Sequence, residues 1–174
     1  NTTYTTINSV NSGREKTILF DNFTRLGDAW GINDRALFSV SADTVGGSQT
    51  LTTSTIETII FNNQREDNRG QYNASTGEYI SAQDQNVLMQ SSLLITVSGT
   101  YTEGFAAFYV DGLAVSFFPL VATNSTNTTF AANGSLSKAL TSSQVVTVRA
   151  RVVSTGTITV SAGLDSNLTV HSTR

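Results

Sequence analysis

The sequence of this chain has no cysteine, a single histidine and few charged residues. Without cysteine there is no disulfide framework, thiolate metal site or cysteine nucleophile, so stability must come from packing or from assembly. Only 13% of the 174 residues are charged, and the formal net charge is −3. The chain therefore lacks the basic surface that supplies most affinity for nucleic acid, and we expect no nucleic-acid partner.

Long apolar runs and helical periodicity are missing as well. The apolar runs at 105–110 and 113–120 are far shorter than the roughly 20 residues needed to span a bilayer, so we expect no membrane insertion. No basic-then-apolar leader opens the sequence, and its start at Asn1 rather than at Met indicates a processed chain or a fragment. Because no stretch repeats apolar residues at a helical period, we expect no significant helix.

Strand signals dominate what is present. Val, Ile, Leu and Thr form alternating runs in ALFSVSA (36–42), VLMQSSLLITV (87–97), VVTVRARVV (145–153), TITVSA (157–162) and NLTVHS (167–172). The runs are separated by turn signals, which include Gly46-Gly47, Asp111-Gly112, Asn133-Gly134, Gly156 and Gly163. This spacing is typical of an antiparallel all-β sandwich or barrel, and the crossover helices of a parallel sheet are not visible.

Alternation also assigns the two faces of the strands. The predicted core positions are Val87, Met89, Leu93, Ile95, Val97, Val146, Val148, Ala150 and Val152. The opposite faces mix apolar and polar side chains, which suits a subunit interface, and their candidate interface residues are Leu88, Gln90, Leu94, Thr147, Arg149 and Arg151.

Two segments differ from the predicted strands in amino-acid composition. Residues 1–35 contain a Thr- and Asn-rich start, a charge cluster and the sole tryptophan, Trp30. We interpret them as an N-terminal arm or attachment segment anchored by Trp30, and residues 36–174 as a single head domain. The low-complexity stretch 122–135 has so few apolar groups that we expect a long exposed loop.

Catalytic and metal-binding patterns are weak. His171 lies in an alternating strand and the sequence has no Gly-x-Ser-x-Gly, so we expect a surface or interface role for this histidine. Glu66, Asp67 and Glu78 offer paired carboxylates for a glycosidase, but the two arginines beside them at 64–69 favour a solvated, self-neutralising loop. We expect no enzyme, no cofactor and no metal; a glycosidase and a calcium ion held by scattered loop carboxylates remain alternatives.

Asn-x-Ser/Thr triplets occur seven times, at Asn1, Asn22, Asn73, Asn124, Asn127, Asn133 and Asn167. They would accept glycans in a secretory host. The abundance of Asn, Ser and Thr explains most of them by chance.

The most specific pattern is a set of aromatic anchors around a turn. Five, four and six residues separate Phe61, Asp67, Tyr72 and Tyr79, and Asn73 and Gly77 supply the turn between the tyrosines. This spacing resembles the signature of the globular head of complement component one-q, a branch of the tumour-necrosis-factor-like jelly rolls. The fold signature thus consists of Phe61, Asp67, Tyr72, Gly77 and Tyr79.

The resemblance implies a two-sheet antiparallel jelly-roll sandwich that forms a homotrimer, with the mixed outer faces around the threefold axis. In such a trimer we expect Arg149 and Arg151 to find carboxylates on a neighbour, since unpaired burial of a guanidinium is very costly.

Together these features favour a non-enzymatic, trimeric virion surface protein: a head fibre, a capsid decoration protein or a fibre tip. Its arm would bind capsid or tail proteins, and its head would stabilise the particle, bind a host surface glycan or protein, or both. The alternative is a secreted, complement-like head that binds glycan or protein ligands.

Overall fold

The computed structural model describes residues 39–44, 46–67, 69–120 and 126–173. These ranges contain twelve β-strands and no helix: β1 Ser39–Asp43, β2 Gln49–Leu51, β3 Glu57–Thr58, β4 Asn63–Asp67, β5 Tyr72–Asn73, β6 Glu78–Ile80, β7 Gln85–Val110, β8 Leu113–Pro119, β9 Thr126–Leu140, β10 Val145–Ser154, β11 Ile158–Val160 and β12 Asn167–Thr173. The expected all-β fold is confirmed, and β1, β7, β10, β11 and β12 overlap the five alternating runs, of which 36–38 lie outside the described residues. The proposed arm at 1–35 and its anchor Trp30 lie outside the described residues.

The strands form two antiparallel sheets that share the 26-residue strand β7. In the first, sheet A, the N-terminal half of β7 lies between β9 on one side and β12 and β11 on the other; β1 and β4 extend the sheet beyond β12, and β2 pairs with β11. In the second, sheet B, the C-terminal half of β7 lies between β8 and β10, and β10 also pairs with β3 and with the β6–β5 hairpin. This arrangement confirms the two-sheet sandwich.

β7 passes from sheet A to sheet B at Ser98 and Gly99. Gly99 has a φ of 99°, and the register of β7 against β9 shifts between Val97 and Thr100. The bend is held by the loop after β10: Ser98 N–H donates to the Thr157 carbonyl (2.9 Å), and Thr155 N–H donates to the Thr100 carbonyl (3.1 Å). A Cβ at Gly156 would collide with the Ser98 carbonyl, so the loop approaches this closely only because residue 156 has no side chain.

The core lies between the sheets and follows the predicted alternation. All nine predicted core residues on β7 and β10 are buried, with at most 3% of each side chain exposed. The remaining space is filled by aromatic and aliphatic side chains from several other strands and loops, including Ile59, Phe61, Phe118, Phe130, Ile158 and Val170. One continuous hydrophobic core therefore joins both sheets.

The prediction of an exposed loop at 122–135 is wrong for the described residues from 126 onward. They belong to β9, which pairs with β7 from Gln85 opposite Leu140 to Thr100 opposite Thr126. A strand over the core needs an apolar or small residue only at alternate positions, and Phe130, Ala132 and Gly134 meet this requirement. Asn133-Gly134 is therefore part of a strand and not a turn, and Gly134 lies directly against the Phe118 ring.

The Asp111-Gly112 turn, by contrast, is confirmed. Both residues have positive φ, 48° and 81°, as a two-residue hairpin between β7 and β8 requires. The Asp111 carboxylate also accepts hydrogen bonds from the Val145 N–H and from the Gln144 side-chain amide, both at 2.9 Å. The turn thus fixes the start of β10 as well as the β7–β8 hairpin.

A search of the described residues for helices long and apolar enough to cross a bilayer finds none.

We predict that Gly156→Ala destabilises the head by about 1 to 3 kcal/mol or more, because the new methyl group must displace the Ser98 backbone. Urea unfolding followed by circular dichroism would measure the change. Gly46→Ala is the matched control, since the three atoms nearest to its Cβ belong to the flexible end of the Asn62 side chain. If the two variants had equal stability, the close contact between residue 156 and the bend of β7 would not contribute to the stability of the head.

Candidate functional site

The signature residues Phe61, Asp67 and Tyr72 lie together at one corner of the sandwich. Phe61 N–H donates to the Tyr72 hydroxyl, and that hydroxyl donates back to the Phe61 carbonyl, each at 3.1 Å. The two oxygens of Asp67 accept the Tyr72 N–H (2.8 Å) and the Arg69 N–H (3.1 Å). Here side chains form hydrogen bonds with backbone groups that have no partner in a neighbouring strand, because buried backbone N–H and C=O groups need hydrogen-bond partners.

The turn between the tyrosines forms as the sequence predicts. Tyr72 on β5 lies opposite Tyr79 on β6, and the Gly77 N–H donates to the Asn73 carbonyl (2.8 Å). Gly77 has a φ of 73°, and a Cβ there would lie 2.5 Å from the Ile59 carbonyl oxygen. The position therefore requires glycine for both conformation and space.

Tyr79 is fully buried, and its hydroxyl accepts a hydrogen bond from the Gln85 side-chain amide at 2.6 Å. Burial raises the pKa of both Tyr79 and Tyr72 far above the usual range, because the phenolate would lose its solvation. Both rings thus stay neutral and act as packing and hydrogen-bonding groups. The five signature residues form a structural corner rather than an open cleft.

Two of the candidate catalytic carboxylates, those of Asp67 and Glu78, accept hydrogen bonds at this corner. Both Asp67 oxygens are engaged by backbone amides, and Glu78 accepts a hydrogen bond from the Thr76 hydroxyl at 3.0 Å. Glu66 is exposed on β4, while His171 is exposed on β12 in sheet A. Among the described residues, no group of three or more His, Cys, Asp or Glu side chains is placed to hold a metal ion.

The six candidate interface residues fall into two groups on opposite sides of the sandwich. Leu88, Gln90 and Leu94 point outward from sheet A, whereas Thr147, Arg149 and Arg151 lie on the outward-pointing positions of sheet B. The sequence interpretation placed them together around one axis. The structure separates them because the buried alternate positions of both sheets face the same core.

The outer face of sheet A is lined mostly by small side chains. Leu88 and Leu94 are half-buried there, and their neighbours across the ladder to β9 are Ser137 and Ala131. Gln90 lies opposite Ser135 in the same ladder, and His171 of β12 lies opposite Leu88. Because the β9 neighbours of the two leucines are short, another surface can reach the leucines from the β9 side, whereas Gln90 and His171 are the longer side chains of this face.

The two arginines on the outer face of sheet B differ in their partners. Arg151 Nη1 lies 2.7 Å from the Glu103 Oε1 of the same chain, so it does not need a carboxylate from a neighbour. The Arg149 guanidinium lies 4.8 Å from the centre of the Tyr109 ring, a cation–π distance, and its Nε donates to the Thr147 hydroxyl at 3.0 Å. Thr147 itself is buried, which the sequence interpretation did not anticipate.

Sequence reasoning missed that Leu113, Val115 and Phe117 of β8 are exposed. The run 113–120 is apolar apart from Ser116, so alternation does not separate its two faces. The register against β7 also shifts between Phe108 and Tyr109, which places Leu113 opposite the buried Val110 and Phe117 opposite Ala107.

Comparisons with known proteins agree with this architecture. No protein-family model matches the chain, and no curated protein matches it significantly. Among solved structures, Eiger TNF from S. frugiperda is 8% identical, with a TM-score of 0.56 and coverage of 79% of this chain and 92% of that one. Murine APRIL is also 8% identical, with a TM-score of 0.55 and coverage of 76% and 96%.

The globular domain of the zebrafish complement 1qA protein is 12% identical over 76% of this chain and 90% of that one, with a TM-score of 0.47. The likeness to the first two structures confirms the tumour-necrosis-factor-like jelly-roll fold.

We predict that Tyr79→Ala lowers the free energy of unfolding by about 3 to 5 kcal/mol, because it empties a fully buried ring site. Tyr79→Phe keeps the ring and removes the hydrogen bonds of the hydroxyl to Gln85 and Gln71, so its cost should be about 0.5 to 1.5 kcal/mol for each bond. Urea titration of both variants at one protein concentration checks the difference. Wild-type stability of Tyr79→Ala would show that the corner does not support the fold.

Proposed function

We propose that this chain is a non-enzymatic, homotrimeric head displayed on a virion surface, as a head fibre, a capsid decoration protein or a fibre tip. The observation that carries the proposal is the outer face of sheet A, where Leu88 and Leu94 lie among small side chains. In this proposal the head stabilises the particle, binds a host surface, or does both, while the segment 1–35 attaches it to capsid or tail proteins.

Close packing of three copies through this face is favoured by its shape. Ala131, Ser135 and Ser137 project little, so a neighbouring sandwich can reach the two leucines and bury their exposed remainder. A closed ring of identical chains repeats one contact between two different surfaces of the chain, one of which is here the outer face of sheet A, and this closure keeps the assembly finite. The resemblance of the Phe61 to Tyr79 spacing to complement-type heads supports three copies rather than two.

The absence of enzymatic activity is part of the proposal and is supported by the roles of the acidic side chains. A glycosidase needs two carboxyl groups placed on either side of a sugar. Asp67 instead receives two backbone amides, and Glu78 receives the Thr76 hydroxyl within the same turn. These contacts give both residues a structural task at the corner.

A secreted, complement-like head that binds glycan or protein ligands is the second candidate. It is favoured by the exposure of Asn73, the first residue of an Asn-x-Ser/Thr triplet in the turn between β5 and β6. Asn167 is a poorer acceptor, because its side-chain amide already donates to the Leu164 carbonyl at 2.8 Å. Both candidates are homotrimers, and they differ in whether the protein is located on a virion or is secreted.

We predict a particle of about 55 kDa, three times the 18.5 kDa chain, at micromolar concentration. Ala131→Arg should convert it to monomer, because a guanidinium would be buried unpaired beside Leu94. Size-exclusion chromatography with light scattering would measure both masses. Ala82→Arg is the matched control at an exposed alanine in the β6–β7 loop and should remain trimeric; a monomeric wild-type chain would contradict the proposal.

The cellular location separates the two candidates. We expect antibodies raised against the head domain, followed by gold labelling, to decorate purified particles under the electron microscope, whereas pre-immune serum should not. If the chain instead appears only in the particle-free medium and loses mass on treatment with an N-glycosidase, the secreted head is the correct function and the virion proposal fails.

A further inference from the structure

A cluster of buried polar side chains surrounds the hydroxyl end of Tyr79 at the corner. Gln71 and Gln85 are only 5% and 8% exposed, and Ser81 and Tyr79 are fully buried. Removing polar groups from water so completely is costly unless each of them finds a hydrogen-bond partner. Every donor and acceptor of this cluster therefore needs to be accounted for.

The Tyr79 hydroxyl joins most of the cluster. Gln85 Nε2 donates to this hydroxyl at 2.6 Å and to the Ser81 hydroxyl at 3.0 Å, and Ser81 donates in turn to the Gln83 carbonyl at 2.8 Å. The Tyr79 hydroxyl donates to Gln71 Oε1 at 3.5 Å, the long limit of a hydrogen bond. Both glutamine side chains thus contact the same phenolic oxygen.

One atom of each glutamine amide is left over. Gln71 Nε2 and Gln85 Oε1 are buried, and neither forms a hydrogen bond with any residue that the structure describes. Turning either amide by 180° would exchange its nitrogen and oxygen, but one of the two atoms would still point away from the Tyr79 hydroxyl. The position of the two side chains, and not the orientation of their amides, creates the unmet hydrogen bonds.

The two leftover atoms define the chemistry of a ligand. It has to accept a hydrogen bond from Gln71 Nε2 and donate one to Gln85 Oε1. A metal cation could satisfy only the oxygen and an anion only the nitrogen, and either would place a charge among neutral amides and hydroxyls. The ligand must also be small, because both glutamines are more than nine-tenths buried. Water meets all of these requirements.

We propose that the corner binds ordered internal water, as one molecule or a hydrogen-bonded pair, which accepts a hydrogen bond from Gln71 Nε2 and donates one to Gln85 Oε1. Gln71 directly precedes β5 in sheet B, and Gln85 is the first residue of β7, where it pairs with Leu140 of sheet A. The water joins the two sheets at this end of the sandwich. Its ligands all lie within one chain, so the inference is independent of the proposed trimer.

Two measurements on the wild-type head test the site. A high-resolution crystal structure should show water density at about 2.7 to 3.2 Å from Gln71 Nε2 and from Gln85 Oε1. In solution, oxygen-17 magnetic relaxation dispersion detects water molecules that stay bound for longer than the protein takes to tumble. The wild-type head should show such a contribution, because a water enclosed by buried side chains exchanges only when the corner opens.

Variants assign the solution signal to this site. Gln71→Met and Gln85→Met keep a side chain of similar length but replace the amide with a thioether, which donates no hydrogen bond and accepts only weakly. Each should lose the part of the relaxation dispersion that belongs to this water. Gln144→Met is the matched control, since the Gln144 amide bonds only to Asp111 and to the Thr141 N–H, and it should keep the wild-type signal. Thermal melting should show all three variants folded.

Three results would overturn the inference. The first is a wild-type crystal structure in which Gln71 Nε2 and Gln85 Oε1 bond to protein atoms or have no density beside them. The second is density close to the Gln85 oxygen alone, at the roughly 2.0 to 2.6 Å of a metal ion, because the ligand would then be a cation. The third is a relaxation dispersion that both methionine variants leave unchanged. The wild-type crystal structure decides the matter even if the methionine variants do not fold.

Discussion

The passage of β7 through both sheets is the constraint on which the rest of the structure depends. One strand supplies a central position in each sheet, so the sheets cannot shift independently without disturbing the bend at Ser98 and Gly99. The bend keeps the alternating side chains directed to the core on either side of it, and the loop at Gly156 holds it by backbone contacts. The buried rows of β7 and β10 therefore form one continuous core, and their alternate positions form two separate outer surfaces.

The corner from Phe61 to Tyr79 solves a different problem. Its strands β5 and β6 are only two and three residues long. Sheet pairing over so short a length leaves nearby backbone groups without hydrogen-bond partners. Tyr72 and Asp67 supply the missing hydrogen bonds to backbone groups, while Tyr79 fills the space beneath. This explains why the most specific residue pattern in the chain coincides with a structural element rather than with a reactive group.

Much of this architecture could be predicted from the sequence, because period-two alternation reports directly which side chains are buried. It identified the long strands and the core of β7 and β10, and the aromatic spacing identified the corner. Alternation does not reveal to which sheet a strand belongs, so the sequence alone does not show that Leu94 and Arg149 lie on opposite sides of the sandwich. It also failed at β9, where threonine, asparagine and small residues conceal a strand whose apolar requirement is met by Phe130, Ala132 and Gly134.

The contact between Gly134 and the Phe118 ring has a consequence for how β9 finds its place. Residues 126–135 are chemically repetitive, and a slip of two positions along β7 would keep every side chain on its proper face. Such a slip would bring Ala132 or Leu136 under the ring, where a Cβ cannot fit. Glycine at position 134 thus selects one register of β9 against β7 among several that the hydrophobic pattern alone would allow. In a repetitive strand, the position without a side chain fixes the alignment.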